Sequence, residues 1–246
     1  MKSKQPTRSV SRWLAAGIGF ASASYATYVG VTWFRYGKGK KSNGGKLDAL
    51  LDTFMPNFEV VDRHKVRVSA PAEVALSAAT EMHLGSFAAI RAIFKGRELI
   101  LRSRPDNAIR PRGLLAEMKS SGWGVLKDLP GREIVMGGVT KPWEANPVFR
   151  SLPPDEFAAF QEPGYVKIIW TLRADPTGDG ESVFRSETRA LATDPEARKK
   201  FRWYWSFLSP GIIAIRSVLL PAVKVAAEHR WRDIAEQVQS GAVVGS

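Results

Sequence analysis

The chain has 246 residues, 44% of them hydrophobic and 24% charged, enough for one sizeable core and too apolar for wholesale disorder. Lys and Arg number 36 against 24 acids, a net charge of +12, so the surface favours anionic partners such as phosphate headgroups. There is no cysteine, which excludes disulfides, thiolate metal sites and cysteine nucleophiles. The three histidines, His64, His83 and His229, share no metal-ligand spacing, so no metal and no cofactor is expected.

Residues 1–12 form a basic tail. From Trp13 to Phe34 no charged residue occurs, a run long enough for the roughly 20 residues that cross a hydrocarbon core. Trp13 and Trp33 stand at its ends as interfacial anchors, and Ala15, Gly19, Ala23 and Thr27 make a small-residue face open to another helix. Ser22, Ser24, Tyr25, Thr27 and Tyr28 dilute the run. Three readings stay open: a membrane anchor over 13–34, a signal peptide cleaved near Ala21-Ser22-Ala23 with export of the remainder, or a surface helix. The anchor is the leading one. Basic residues flank both ends about equally, which leaves topology open with a lean to a cytoplasmic domain. Residues 35–52 read as a flexible basic linker, its Gly37 to Gly45 stretch lying beside anionic lipid.

The main domain is expected over 53–232. Phe58 to Ser69 alternates as a strand, with Asp62, His64, Val66 and Val68 inward and Arg63, Lys65 and Arg67 towards solvent. Pro71 opens a short alanine-rich helix, and Ser86 is a candidate cap for a second, cationic amphipathic helix carrying Phe87, Ile90, Ile93, Phe94 and Leu101. That helix either packs on the core or touches a membrane surface. A loop over 105–113 and a short helix from Leu114 to Ser120 follow. Strands Trp123 to Leu129 and Glu133 to Val139 then turn at Pro130-Gly131. Gly137 and Gly138 suggest a bulge or a close backbone approach.

Residues 141–154 are irregular, with a helical turn from Asp155 to Phe160. Tyr165 to Arg173 alternates with Val166, Ile168, Trp170 and Leu172 on one face, and Asp175 to Gly180 is a hairpin loop. The return strand, Ser182 to Ala192, presents Phe184, Ser186, Thr188 and Ala190 inward, small side chains that leave space. Its other face carries Arg185, Glu187 and Arg189, either a solvated ladder or a grip on a ligand headgroup. Asp194 and Pro195 start a long helix whose stripe runs through Phe201, Trp205, Leu208, Ile212, Ile215, Leu219 and Val223. Pro210 and Pro221 should bend it, and 233–246 reads as a frayed tail.

This α+β order resembles the START-like (SRPBCC) helix-grip superfamily, which includes polyketide cyclases, lipid-transfer domains and the birch-pollen-allergen type. The likeness rests on Phe54-Met55-Pro56, Val66 to Pro71, Gly122-Trp123, Pro130-Gly131-Arg132-Glu133, Glu162-Pro163-Gly164-Tyr165, Glu187-Thr188-Arg189, Asp194-Pro195, Tyr204-Trp205 and Pro210-Gly211. It implies a curved antiparallel sheet gripping the long C-terminal helix around an apolar cavity. Trp170, Trp205, Phe184, Ile168, Leu208 and Ile212 are the expected lining. The functional expectation is a membrane-tethered carrier or binding protein for a hydrophobic small molecule: a lipid, isoprenoid or polyketide. The alternatives are a cyclase or dehydratase with Asp62 and His64 as acid/base candidates, or an interaction protein with a filled core. Whether the chain is an enzyme is left open, leaning against. Membrane lipids are expected partners through the N-terminal helix and linker. No specific nucleic acid is expected, because the basic residues are dispersed and form no recognised module.

Overall fold

The computed structural model describes residues 7–36, 40–41, 49–104 and 112–244, and the side chains of 17, 19–36, 49–104 and 112–240. The loop at 105–111 and most of the expected linker (37–39 and 42–48) lie outside the described residues, as do the side chains of Trp13 and Ala15. In chain order the elements are α1 (Thr7–Arg35), β1 (Lys40–Lys41), α2 (Ala49–Phe54), β2 (Asn57–Phe58), β3 (Val60–Val68) and α3 (Ala72–Glu81). After a 3-10 turn, Leu84–Ser86, come α4 (Ala88–Leu101), α5 (Leu114–Ser120), β4 (Gly124–Leu129), β5 (Glu133–Thr140), α6 (Pro154–Ala159), β6 (Val166–Gly178), β7 (Glu181–Ala192) and α7 (Pro195–Val244).

Five strands form one antiparallel sheet in the order β3-β7-β6-β5-β4. The period-2 pleat puts Asp62, His64, Phe184, Ser186, Thr188, Ile168 and Trp170 on the inner face, which α7 crosses. This is the helix-grip arrangement. At 50 residues α7 is about 75 Å long, so it overruns the sheet. Its C-terminal half packs with α3 and the inner face in a core of Val68, Leu76, Met136, Trp170, Phe184 and Leu220. Its N-terminal half closes a second cluster of Val60, Val166, Ala190, Phe201, Tyr204 and Tyr36.

The opposite face is not bare. α2 and α6 lie over it, and Leu51, Phe54, Met55 and Phe157 pack on Val135 and Ile169 there. Gly137 is required for this layer, because an added Cβ would stand 2.6 Å from Leu126 Cδ1 and 3.0 Å from Phe157 Cε2. It marks a close approach, and the bulge lies opposite, between Val125 and Lys127.

Several expectations change. Part of the expected linker is ordered structure: Lys40–Lys41 pair with Asn57–Phe58, and Ala49–Phe54 are helix because Leu51 and Phe54 bury on the sheet. The β6–β7 hairpin stays paired as far as Gly178 and Glu181, so the loop is shorter than Asp175 to Gly180, and Gly180 supplies the positive φ of 71° that the turn needs. Ser86 does not cap α4: its hydroxyl donates to the His83 carbonyl, and Phe87 holds the cap position. The stretch 233–244, expected as a frayed tail, continues α7. Asp194 caps α7 as expected, accepting from the Glu196 and Ala197 amides. It also binds the Gly164 amide, and these backbone bonds, those from Ala197 and Gly164 foremost, hold its carboxyl below the usual range.

Helix α1 docks along α7. Tyr25 donates to the Phe207 carbonyl at 2.6 Å and Tyr28 meets Ser209 Oγ at 2.9 Å, both beside Pro210, where proline interrupts the helical ladder. Arg202 reaches the Trp33 carbonyl and stacks on its ring at 4.3 Å. The tyrosines that dilute the apolar run are therefore its docking side. The expected small-residue face is unused by α7: Gly19, Ala23 and Thr27 are exposed, with open space where a Gly19 Cβ would stand. Tyr36 completes the attachment by donating to buried Glu59, and burial together with that carboxylate raises its pKa far above the phenolic range.

Lys167 is a buried cation on the outer face, donating to the Ala158 carbonyl at 2.8 Å and lying 5.1 Å above the Phe157 ring. Burial lowers its pKa from 10.5 to about 8. Below pH 8 folded and unfolded chains both carry the charge, and the native state bears the full desolvation penalty. Between about pH 8 and 10.5 the native state loses its proton first, so this site adds stability as pH rises. Lys167→Met is expected to stabilise the fold by about 2 kcal/mol at pH 7. In urea unfolding at stepped pH, that advantage should shrink towards pH 10.5.

Candidate functional site

The inner face and α7 do not meet evenly. Trp170 and Phe184 are buried in the core beside α3, with Trp170 edge-on to Trp123 at 6.0 Å. Ile168, Trp205, Leu208 and Ile212 gather in the other cluster, near Tyr36 and Phe201, and all four are only half-buried. The expected lining thus divides into two groups. Ile215, Leu219 and Thr188, which also face the seam between sheet and helix, are half-buried as well. Apolar side chains left half-exposed on facing surfaces of sheet and helix are ones that a further apolar body could cover.

Between the two groups lies a polar centre. Asp62 and His64, two apart on β3, share a face, and His64 Nε2 lies 2.8 Å from Asp62 Oδ1. Arg216 descends from α7 to meet them, its Nε 3.1 Å from Asp62 Oδ2. Its terminal nitrogens donate to Ser186 Oγ and Thr188 Oγ1 on β7. Burial draws the guanidinium pKa below the ordinary arginine value, with the Asp62 carboxylate pulling the other way. Ser186 and Thr188 are short because their partner is long: the room they leave is taken by Arg216.

With Nε2–H donating to Asp62, His64 presents Nδ1 as an acceptor, and that nitrogen has no hydrogen-bond partner among the described residues. The group can accept a hydrogen bond from a bound hydroxyl or take up a proton. Arg216 is the member of this centre not anticipated from the sequence. Its signal was present: a lone arginine four positions after Ile212 and three before Leu219, inside the apolar stripe.

The expected ladder on the outer face is corrected too. Arg189 is 0% exposed, folded under α2, where it binds Glu187 and Asp52 at 2.6 Å each and the Met55 carbonyl at 2.9 Å over the Phe58 ring. The ladder is solvated only at its Arg63 and Lys65 border. It lies across the sheet from the seam and cannot grip a ligand there. Among the described residues no cluster of His, Asp and Glu has the form of a metal site. The middle of α7 contains an 18-residue stretch of mean hydropathy 1.6, of which 22% is buried, the length and composition of a membrane crossing.

No model of a known protein family matches the chain, and no curated protein is similar to it in sequence. Among solved structures, a point mutant of norcoclaurine synthase from Thalictrum flavum, in complex with a transition-state analogue, is 12% identical. That likeness covers 70% of this chain and 96% of that one, with a TM-score of 0.32. An aromatase/cyclase from a Streptomyces species is 14% identical over 70% and 94% of the two chains, with a TM-score of 0.23. The protein Ara h 8.0201 is 11% identical over 64% and 98%, with a TM-score of 0.19. These likenesses are too distant to carry an argument, and the helix-grip assignment rests on strand order and on the helix that the sheet holds.

Proposed function

We propose that the protein binds an amphipathic, largely hydrophobic small molecule in the seam between sheet and α7, at or near a membrane. The observation that carries this reading is the combination of half-buried Ile168, Trp205, Leu208 and Ile212 with the Asp62–His64–Arg216 centre beside them. The apolar side chains desolvate the body of the ligand, and the charged centre fixes its polar end. Trp170 and Phe184 form the floor behind that centre.

α1 supplies the membrane contact. Phe20 and Phe34 project from it, 78% and 77% exposed, while its tyrosine side stays on α7. A molecule leaving the bilayer beside α1 reaches the seam along α7 without crossing bulk water. A second reading, a cyclase or dehydratase, is favoured by one feature: His64 is oriented by a carboxylate and keeps Nδ1 unengaged, the arrangement of a general base.

Native mass spectrometry of the full chain, released from lipid discs of defined composition, tests the binding reading. The expected result is an equimolar small molecule that is retained by wild type and lost from Ile168→Trp, which fills the seam. Equal retention by both proteins would place any ligand elsewhere.

A further inference from the structure

On the outer face, beyond the edge of the α2 layer, lies a groove of about 360 Å³, within the size range of small-molecule sites, which His64 and Ser186 of the polar centre also border. Its charged lining is four cations, Arg63, Lys65, Arg173 and Arg185, and one carboxylate, Glu187. The strand register makes the arrangement sharper. Lys65 stands directly opposite Arg185, and Arg185 directly opposite Arg173, so three cations lie side by side on three adjacent strands. Like charges placed directly across a sheet oppose its formation.

Among the described residues the carboxylates near this row are already shared, and buried Glu133 also lies 3.5 Å from Arg173. Glu187 is already shared between Arg63 and Arg189. Asp175 is shared by three guanidiniums, those of Arg132, Arg173 and Arg185. Lys65 is exposed and has no carboxylate partner among the described residues. Arg185 Nε lies 3.0 Å from Asp175 Oδ2, and the side chain borders the groove. A row of cations set side by side by strand pairing at the border of a recess fits a dianionic group.

We infer that this groove is a binding site for a phosphate monoester or diphosphate group, its cations on the side of the sheet away from the seam. Arg185 and Lys65 hold the phosphate oxygens, and Arg63 closes the outer wall. The group comes either from a free phosphorylated molecule or from the headgroup of a phosphomonoester lipid. The recognition chemistry is the same for both.

The test uses the full chain and pyrophosphate as probe, following the melting temperature at constant ionic strength with chloride as the balancing salt. Wild type should show a saturable rise. Lys65→Ala should need about tenfold more pyrophosphate, the expected loss for one charge-assisted contact, and Lys65→Glu should show no rise. Without pyrophosphate both variants should melt at or above the wild-type temperature, because the repulsion along the row is relieved. A residue with only a structural role would melt lower. Vesicles of phosphatidylcholine with phosphatidic acid distinguish the two sources. If Lys65→Glu weakens binding to them relative to wild type, the group is a lipid headgroup. If vesicle binding is unchanged while the pyrophosphate response is lost, it is a free phosphate. A wild-type response no larger than that to chloride, or an undiminished response in Lys65→Glu, overturns the proposal.

Discussion

Replacing Arg216 with methionine is expected to lower the unfolding free energy by about 3 kcal/mol, because it strands the Asp62 carboxylate in the seam with only His64 beside it. The methionine restores most of the buried apolar volume, so the loss is electrostatic in origin. Ser186 and Thr188 lose their guanidinium partner in the same step. Asp62→Asn alone leaves a buried cation with two hydroxyls but no carboxylate to balance it and should also destabilise. The double variant, Asp62→Asn with Arg216→Met, should recover much of both losses, giving a coupling of about 2 kcal/mol. Urea unfolding followed by tryptophan fluorescence measures all four corners of the cycle. Simple additivity of the two single changes would mean that the ion pair does not hold α7 to the sheet.

The second large effect belongs to the other side of the sheet. Arg189→Ala should cost about 3–5 kcal/mol, since it takes one arginine from Glu187, removes a partner of Asp52 and empties the space over Phe58. Arg189→Lys should not rescue it, because an ammonium cannot reproduce the planar fork that meets Glu187, Asp52 and the Met55 carbonyl together. The damage should be local in character. Hydrogen exchange should quicken across Ala49–Phe54, whose attachment depends on that fork, while the β6–β7 ladder keeps its protection. Uniform loss of protection would show that α2 is not a separable layer.

These two arginines also mark the limits of reading the sequence. Alternation along Val60–Val68, the return strand Glu181–Ala192 and the stripe of α7 were legible because side-chain periods of two and 3.6 residues report burial directly. The inward side of Asp62, His64, Phe184 and Thr188 followed from the same pleat. Arg189 was not legible. Its face alternates charge like a solvated surface, and only the non-local folding of Ala49–Phe54 over it makes it a core residue. Arg216 was hidden for the opposite reason: its surroundings are so apolar that the helix stripe reads as continuous with or without it. Ser186 and Thr188 read as vacant space, because nothing in β7 itself announces that a side chain from α7 will fill it.

α1 is a similar case. Its apolar run is visible in the sequence, but Tyr25 and Tyr28 read as dilution of a membrane segment until their hydroxyls are seen at the Pro210 bend of α7. A helix that only crossed a bilayer would have no need of those two contacts. They tie the apolar segment to the part of α7 that borders the seam.

The most direct measurement is a titration of the full chain, in lipid discs of fixed composition, with a fluorescent fatty acid, comparing wild type with Leu208→Trp and with Ile168→Trp. Saturable, equimolar binding by wild type that both plugged variants lose is the result expected if an oily guest sits between sheet and helix. Identical traces for the three proteins, differing in no way from empty discs, would contradict it.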